Sequence, residues 1–479
     1  MNSRFCNIAV AGLALAALAG SAAAAPKRLY VEPFTTRAAS EKLREDVIAE
    51  LRRLGTVAIV PAESGADAIL GGGGEIWVRG YRSLNPRSGR LPSDGTPVYG
   101  GYLSVELRDS KGATTWSDLV TPGSASPDVA KDLAKRIAKD VSEALQRNDP
   151  PQPAAPPARQ PATSLKGAGA TFPYPVYEKW FMNYRRENPN LEISYEPVGS
   201  EGGIRRLLTG DIDFAASDSP QAIRDLAPAE EGKYVFFPAV VGAVVPIVNL
   251  PGFAGEVSFT PEALAGIYLG KITKWNDPVL RLANKSARLP DLDIVVVHRS
   301  EGSGTSYAWT DFLSRTNPEW KTRVGTALSP QWPAGRGAAG NDGVAKLVKE
   351  IGGSIGYVEF IYALRNQLSY GAVRNGNGEF VTASLESIAV AANQSSEMGD
   401  DLKVSIVNAR GAGAYPVASF TWFVAPAHIA DEAKRSAIAG FLKWMLGPGQ
   451  TQSAALGYLP LPRNVADKEK AAILRIMAP

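Results

Sequence analysis

Between Asp149 and Thr163 the chain carries Pro150, Pro151, Pro153, Pro156, Pro157 and Pro161, with alanine in most of the gaps. Proline fixes φ and supplies no N–H, so neither a helix nor a central strand can run through such a stretch. It also lacks the large apolar side chains needed for a core, and it favours extended polyproline II, a semi-rigid spacer. A ligand for a proline-binding domain is the other use of such a run, and a plain linker is the reading adopted. The chain must then fold as separate units on either side, with a boundary at 149–163. A length of 479 residues fits roughly three domain-sized units at about 150 residues each.

The N-terminus has its own pattern. Arg4 is followed by an apolar run from Ile8 to Ala19 and by the small residues Ser21 to Ala25, the plan of a secretory signal peptide over residues 1–25. The run is shorter than the roughly 20 residues that a spanning helix needs. No later stretch is long and apolar enough, so a soluble exported protein is expected, in the periplasm. Cys6, the single cysteine, precedes the apolar run instead of closing it, which does not suit a lipoprotein cleavage site. Without it the exported chain has no disulfide and no thiol chemistry. With one cysteine and two histidines, a zinc or iron–sulfur site has almost no ligands to draw on, and no cofactor is expected. Lysine plus arginine number 51 and aspartate plus glutamate 48, a net charge of +3, too little for affinity resting on nucleic-acid phosphates.

Residues 26–148 read as a small α/β domain. Arg28 to Val31 suits a first strand, and Leu43, Val47, Ile48 and Leu51 place a helical stripe within Ala38 to Leu54. Thr56 to Val60 and Ile76 to Val78 are short and β-branched. Leu103, Val105 and Leu107 alternate with polar residues as in a half-buried strand. Val129, Leu133, Ile137, Val141 and Leu145 predict a closing amphipathic helix. The quartet Gly71 to Gly74 can let backbone N–H groups approach a phosphate, but Glu75-Ile76-Trp77 follows where a P-loop needs Gly-Lys-Ser/Thr. A strand entrance or bulge is the better reading.

From Ser164 onward, glycine and hydroxyl residues stand directly before helical patterns three times. These are Gly167-Ala168-Gly169-Ala170-Thr171-Phe172-Pro173, Gly199-Ser200-Glu201-Gly202-Gly203 and Arg299-Ser300-Glu301-Gly302-Ser303-Gly304-Thr305-Ser306. A helix N-terminus carries unpaired N–H groups and partial positive charge, and so accepts anions. One such segment is ordinarily an N-cap; three, with an arginine, point further. Arg299 follows the apolar run Ile294 to Val297 and belongs at the end of a buried strand, where open α/β sheets hold ligands. Its guanidinium fork suits a tetrahedral oxyanion, with a structural ion pair as the alternative. His298 points to the opposite face and reads as structural. Asp218, ending the short strand Asp213 to Ser217, is either a helix cap or an acid beside an anion site.

These residues carry a resemblance. The three segments, with Ala216-Ser217-Asp218-Ser219-Pro220, Ile267 to Asp277, Gly340-Asn341-Asp342-Gly343 and Ile355 to Glu359, closely resemble the periplasmic phosphate-binding protein of bacterial ABC phosphate importers. The likeness runs from Ser164 to the C-terminus. It implies an α/β, two-lobed periplasmic binding protein of type II, preceded by the small α/β domain. Lobe I takes about 164–242 and 418–479, lobe II about 243–417, with crossings near Val240 to Val245 and Tyr415 to Phe420. By position, the resemblance implies phosphate contacts from Thr171, Phe172 and Gly304 (the last two through backbone N–H), Ser200, Asp218, Arg299, Ser303 and Thr305. Glu301 stands beside the ligand without needing to bond it. Two departures are Glu201, where the family often has serine or glycine and which is expected to face solvent, and Glu301 in place of a shorter aspartate. Lys271 to Asp277 and Gly356 to Glu359 are read as structural.

The implied function is capture of inorganic phosphate and its delivery to the membrane permease of an ABC importer, with no chemistry on the ligand. The partner of the 26–148 domain is unknown. One alternative is an envelope sensor, scaffold or adhesion protein. A phosphatase using Ser200 or Ser303 is weaker, because neither serine sits in a G-x-S-x-G elbow and histidine is scarce.

Overall fold

The computed structural model describes residues 27–36, 40–82, 96–110, 114–120, 122, 128–146 and 163–477. The expected signal peptide and the proline-rich run up to residue 162 lie outside the described residues.

Ahead of the proline run, the helices Ser40–Leu54 and Val129–Gln146 pack on one face of a six-stranded sheet. Leu29, Val31, Leu70, Leu103, Val105 and Leu107 alternate toward that face and meet Leu43, Val47, Leu51, Leu133, Ile137 and Val141. The period-2 and period-3.6 patterns thus bury one another. Two expectations need correction. Ile76 to Val78 is no separate strand: Gly71 to Gly74 and the residues after them run within a single strand, Ala68–Arg82. Its antiparallel partner Thr96–Asp109 is almost as long and pairs along its whole length, with a register shift between Val78 and Gly80. In place of Thr56 to Val60, only Ala58–Ile59 pairs.

The larger unit is built on a nine-stranded sheet. Its strands lie in the order Arg336–Ala338, Val295–Arg299, Ser354–Glu359, Tyr234–Asn249, Ala418–Pro426, Phe214–Ser217, Thr163–Gly169 and Leu191–Glu196, and Ser369–Tyr370 pairs beside Tyr234–Asn249. The long strand Tyr234–Asn249 joins two lobes. Residues Tyr234 to Ala243 pair with Ala418–Pro426, whereas Val244 to Asn249 pair with Ser354–Glu359. Nearly every residue of it is buried, as a strand covered on both faces should be. The Val244 N–H donates to Val417 O at 2.8 Å, just before the chain re-enters the first lobe.

Each lobe has its own aromatic packing. In the first, Phe214 stacks on Phe423 with centroids 4.4 Å apart, and Phe181 meets Phe214 and Phe441. In the second, Trp309 stacks on Tyr357 at 5.3 Å, with Tyr268 edge-on to Trp309. Among the described residues no helix is long and apolar enough to cross a membrane.

Candidate functional site

Strand ends and helix starts from both lobes meet at the seam between them. In the first lobe, the helix Ser200–Leu208 begins after Gly199, whose φ of +88° is a conformation that suits glycine. A Cβ there would also press on Gly302 O (2.7 Å) and Glu301 Cγ (2.9 Å) of the other lobe. The Ser200 hydroxyl is fully buried and accepts from Gly304 N–H across the seam at 3.0 Å, and from Asp218 N–H at 3.4 Å.

Asp218 follows the strand Phe214–Ser217 and is 1% exposed. Its Oδ1 accepts from the Thr421 hydroxyl at 2.7 Å, while Oδ2 is buried without a hydrogen-bond partner. Burial pushes its carboxyl up to about 7, against the lowering pull of the Thr421 bond and the Arg299 charge. The capping alternative does not hold, because the next helix starts at Ala222 behind Gln221 with no side-chain cap.

In the second lobe, Arg299 closes the strand Val295–Arg299, and its side chain is 1% exposed. Glu301 Oε1 accepts from two guanidinium nitrogens, Nε at 2.7 Å and Nη2, and from Gly340 N–H at 3.0 Å. Burial raises the Glu301 carboxyl, but the Arg299 charge and these bonds outweigh it and hold the group below its ordinary range. Glu301 therefore orients the arginine, which leaves Nη1 to Thr305 Oγ1 at 3.3 Å. Ser303 caps the helix Gly304–Thr316 by accepting from Ser306 N–H at 3.2 Å.

Thr171 Oγ1 accepts from the Asn341 side-chain amide at 2.8 Å, across 170 residues of sequence. The same amide reaches Thr305 Oγ1 at 3.4 Å, and Asn341 Oδ1 accepts from Glu359 N–H at 2.9 Å. Phe172 is pinned beside them, its carbonyl accepting from Tyr458 O–H at 2.7 Å. Reading the sequence did not single out Asn341, although Gly340-Asn341 before a helix repeats the design of the other three turns. Glu359, read as structural, caps the helix Phe360–Arg365 and lies beside Gly242 at the lobe crossing. Burial pushes its carboxyl well above the usual range.

Glu201 does not face solvent as expected. Its carboxylate is held by Arg205 at 2.7 Å and by Ser329 Oγ at 2.6 Å. His298 is structural as read: its Nδ1 is 2.9 Å from Arg299 O, and its ring stacks on Trp332.

The four hydroxyls share one property. Thr171, Ser200, Ser303 and Thr305 each have an oxygen lone pair occupied by a protein N–H donor, so each O–H remains free to donate. The same seam holds the Arg299 guanidinium, whose charge acts on Asp218, and one buried, unpartnered acceptor, Asp218 Oδ2. Such a set suits a tetrahedral oxyanion that keeps one proton. Neither Ser200 nor Ser303 has a histidine partner among its hydrogen bonds, although a nucleophilic serine needs an adjacent base. Among the described residues no cluster of His, Cys, Asp and Glu is placed to hold a metal ion.

A family model for the PBP superfamily domain matches residues 154–448. The phosphate-binding protein PstS of Pasteurella multocida is 42% identical over 312 residues, covering 65% of this chain and 90% of the relative. That of Xylella fastidiosa (strain Temecula1) is 42% identical over 320 residues, covering 66% and 87%. Among solved structures, a DING protein aligns with a TM-score of 0.51 at 21% identity, over 64% of this chain and 93% of its own. A high-affinity periplasmic phosphate-binding protein, PfluDING, aligns at 0.50 and 21%, with the same coverage. At such identities the structures speak for the fold alone.

Proposed function

The chain belongs to the PBP superfamily, among the relatives of phosphate-binding protein PstS, and we propose that it captures hydrogen phosphate between its lobes. The observation that carries this reading is Asp218 Oδ2, a buried acceptor without a hydrogen-bond partner. Hydrogen phosphate supplies the matching proton, and its remaining oxygens accept from Arg299, from the hydroxyls of Thr171, Ser200, Ser303 and Thr305, and from the Phe172 N–H, whereas the Gly304 N–H, expected as a further donor, is given to Ser200 Oγ in this structure. An ionised carboxylate accepts but cannot donate, so above about pH 7, where Asp218 has given up its proton, sulfate, which carries no proton, meets it lone pair against lone pair. A buried mismatch of that kind is costly.

In this reading the chain works in the periplasm after removal of the 1–25 leader, and the 149–163 run tethers the 26–148 domain. Closure around phosphate prepares it for delivery to the permease of an ABC importer. No chemistry on the ligand is involved. Calorimetry of protein stripped of ligand, against phosphate, sulfate and a phosphomonoester, tests the reading. Tight binding of phosphate alone is expected. Equal binding of sulfate, or release of phosphate from the ester, would overturn it.

A further inference from the structure

Glu201 belongs to the helix Ser200–Leu208 of the first lobe, yet its strongest contact outside that helix lies in the second. Its carboxylate accepts from Ser329 Oγ at 2.6 Å, and its backbone N–H donates to Gly302 O at 3.1 Å. Ser329 is not a loosely placed partner. The preceding Leu328 carbonyl accepts from Ser303 N–H at 2.9 Å, and Ala327 N–H donates to Thr310 Oγ1 at 3.2 Å. Ser329 is thus fixed to the same turn that carries Ser303 and Gly304. Gly302 fits this close approach, since a Cβ on it would collide with Glu201.

A carboxylate this near an anion site repels the anion unless its charge is offset. Arg205, one helical turn on, supplies two hydrogen bonds at 2.9 and 2.7 Å, and the helix N-terminus adds its own partial positive charge. The Glu201 side chain is 20% exposed, so the cross-seam bond is partly shielded from water.

We propose that Glu201 and Ser329 form a latch that holds the lobes shut and sets the rate at which bound phosphate leaves. The release part of this proposal rests on the phosphate reading above; the closure part does not. Glu201 is a positioning residue here, acting on lobe geometry without touching the ligand. A bond made only in the closed form slows opening and leaves capture by the open form unchanged.

Two measurements test it on wild type, Glu201→Ala, Ser329→Ala and the double variant. Stopped-flow kinetics follow phosphate association and release. Distances between fluorophores at Glu192→Cys and Lys346→Cys, exposed positions in opposite lobes, report closure without phosphate. Each single variant is expected to release phosphate about tenfold faster, as loss of a hydrogen bond to a charged group implies, with association within about twofold. The double variant is expected to match the singles, because both remove one bond. In ligand-free protein the closed population is expected to fall in every variant. Unchanged release with an unchanged distance distribution overturns the latch, as does full additivity in the double variant. If wild type binds no phosphate, the phosphate reading fails and the distance measurement still decides whether the latch closes the lobes.

Discussion

Asp218 shows how one carboxyl couples the site to stability. Its ordinary value of 3.8 is pushed up to about 7 by burial, so between these values the folded chain holds a proton that the unfolded chain releases. That proton favours folding fully below about pH 4, and its contribution is lost as pH rises through 7. At about 1.4 kcal/mol per pH unit, three units set a ceiling of about 4 kcal/mol. The melting temperature of ligand-free protein should therefore drop between pH 4.5 and 8, and Asp218→Asn should flatten much of that drop. Equal pH dependence in both proteins would remove Asp218 as its source. The site residues nearest in type to the chemistry were legible before the fold was known: an arginine at a strand end, hydroxyls before helices, an acid after a short strand. Asn341 and the contact of Glu201 with Ser329 were not, because each role arises from a pairing across the seam. Nothing local in Gly340-Asn341-Asp342 says that its amide will reach Thr171.

Among the elements, the helix Gly304–Thr316 starts hard against the opposite lobe. A Cβ on Gly304 would lie 2.5 Å from Ser200 Oγ and 2.6 Å from Asp218 Cβ and N, atoms of the facing lobe, and would hold the lobes apart. The Gly304→Ala variant should lose at least about 100-fold in phosphate affinity, near 2.7 kcal/mol, while its ligand-free melting temperature stays within a few degrees, about 0.5 kcal/mol. Wild-type affinity in that variant would show that the seam opens without cost. Element type was readable where periodicity was strong, as in Val129–Gln146 and Val295–Arg299. It failed at Gly71 to Gly74, because a glycine run signals a break locally while a long antiparallel partner can carry it through as strand. The pairing with Thr96–Asp109 belongs to the sheet and not to the segment.

For the whole molecule, the two units have separate apolar cores. The strands Ala68–Arg82 and Thr96–Asp109 approach the helix Phe360–Arg365 and the segment Ala454–Leu456 of the larger unit, and Arg186 lies 3.8 Å from Asp118, an exposed pair worth at most about 1 kcal/mol. Removing residues 26–162 should leave phosphate affinity within about tenfold, or 1.4 kcal/mol, and leave a folded protein; an insoluble product would show one cooperative unit. Capture by two lobes also predicts that phosphate raises the melting temperature through linkage. The central claim is that a buried acceptor selects the anion that still carries a proton. The direct measurement is calorimetric titration of phosphate and sulfate into wild type and Asp218→Asn, side by side. Wild type should prefer phosphate strongly, and the variant should narrow the gap mainly by admitting sulfate. An affinity ratio that is the same in both proteins would contradict the account.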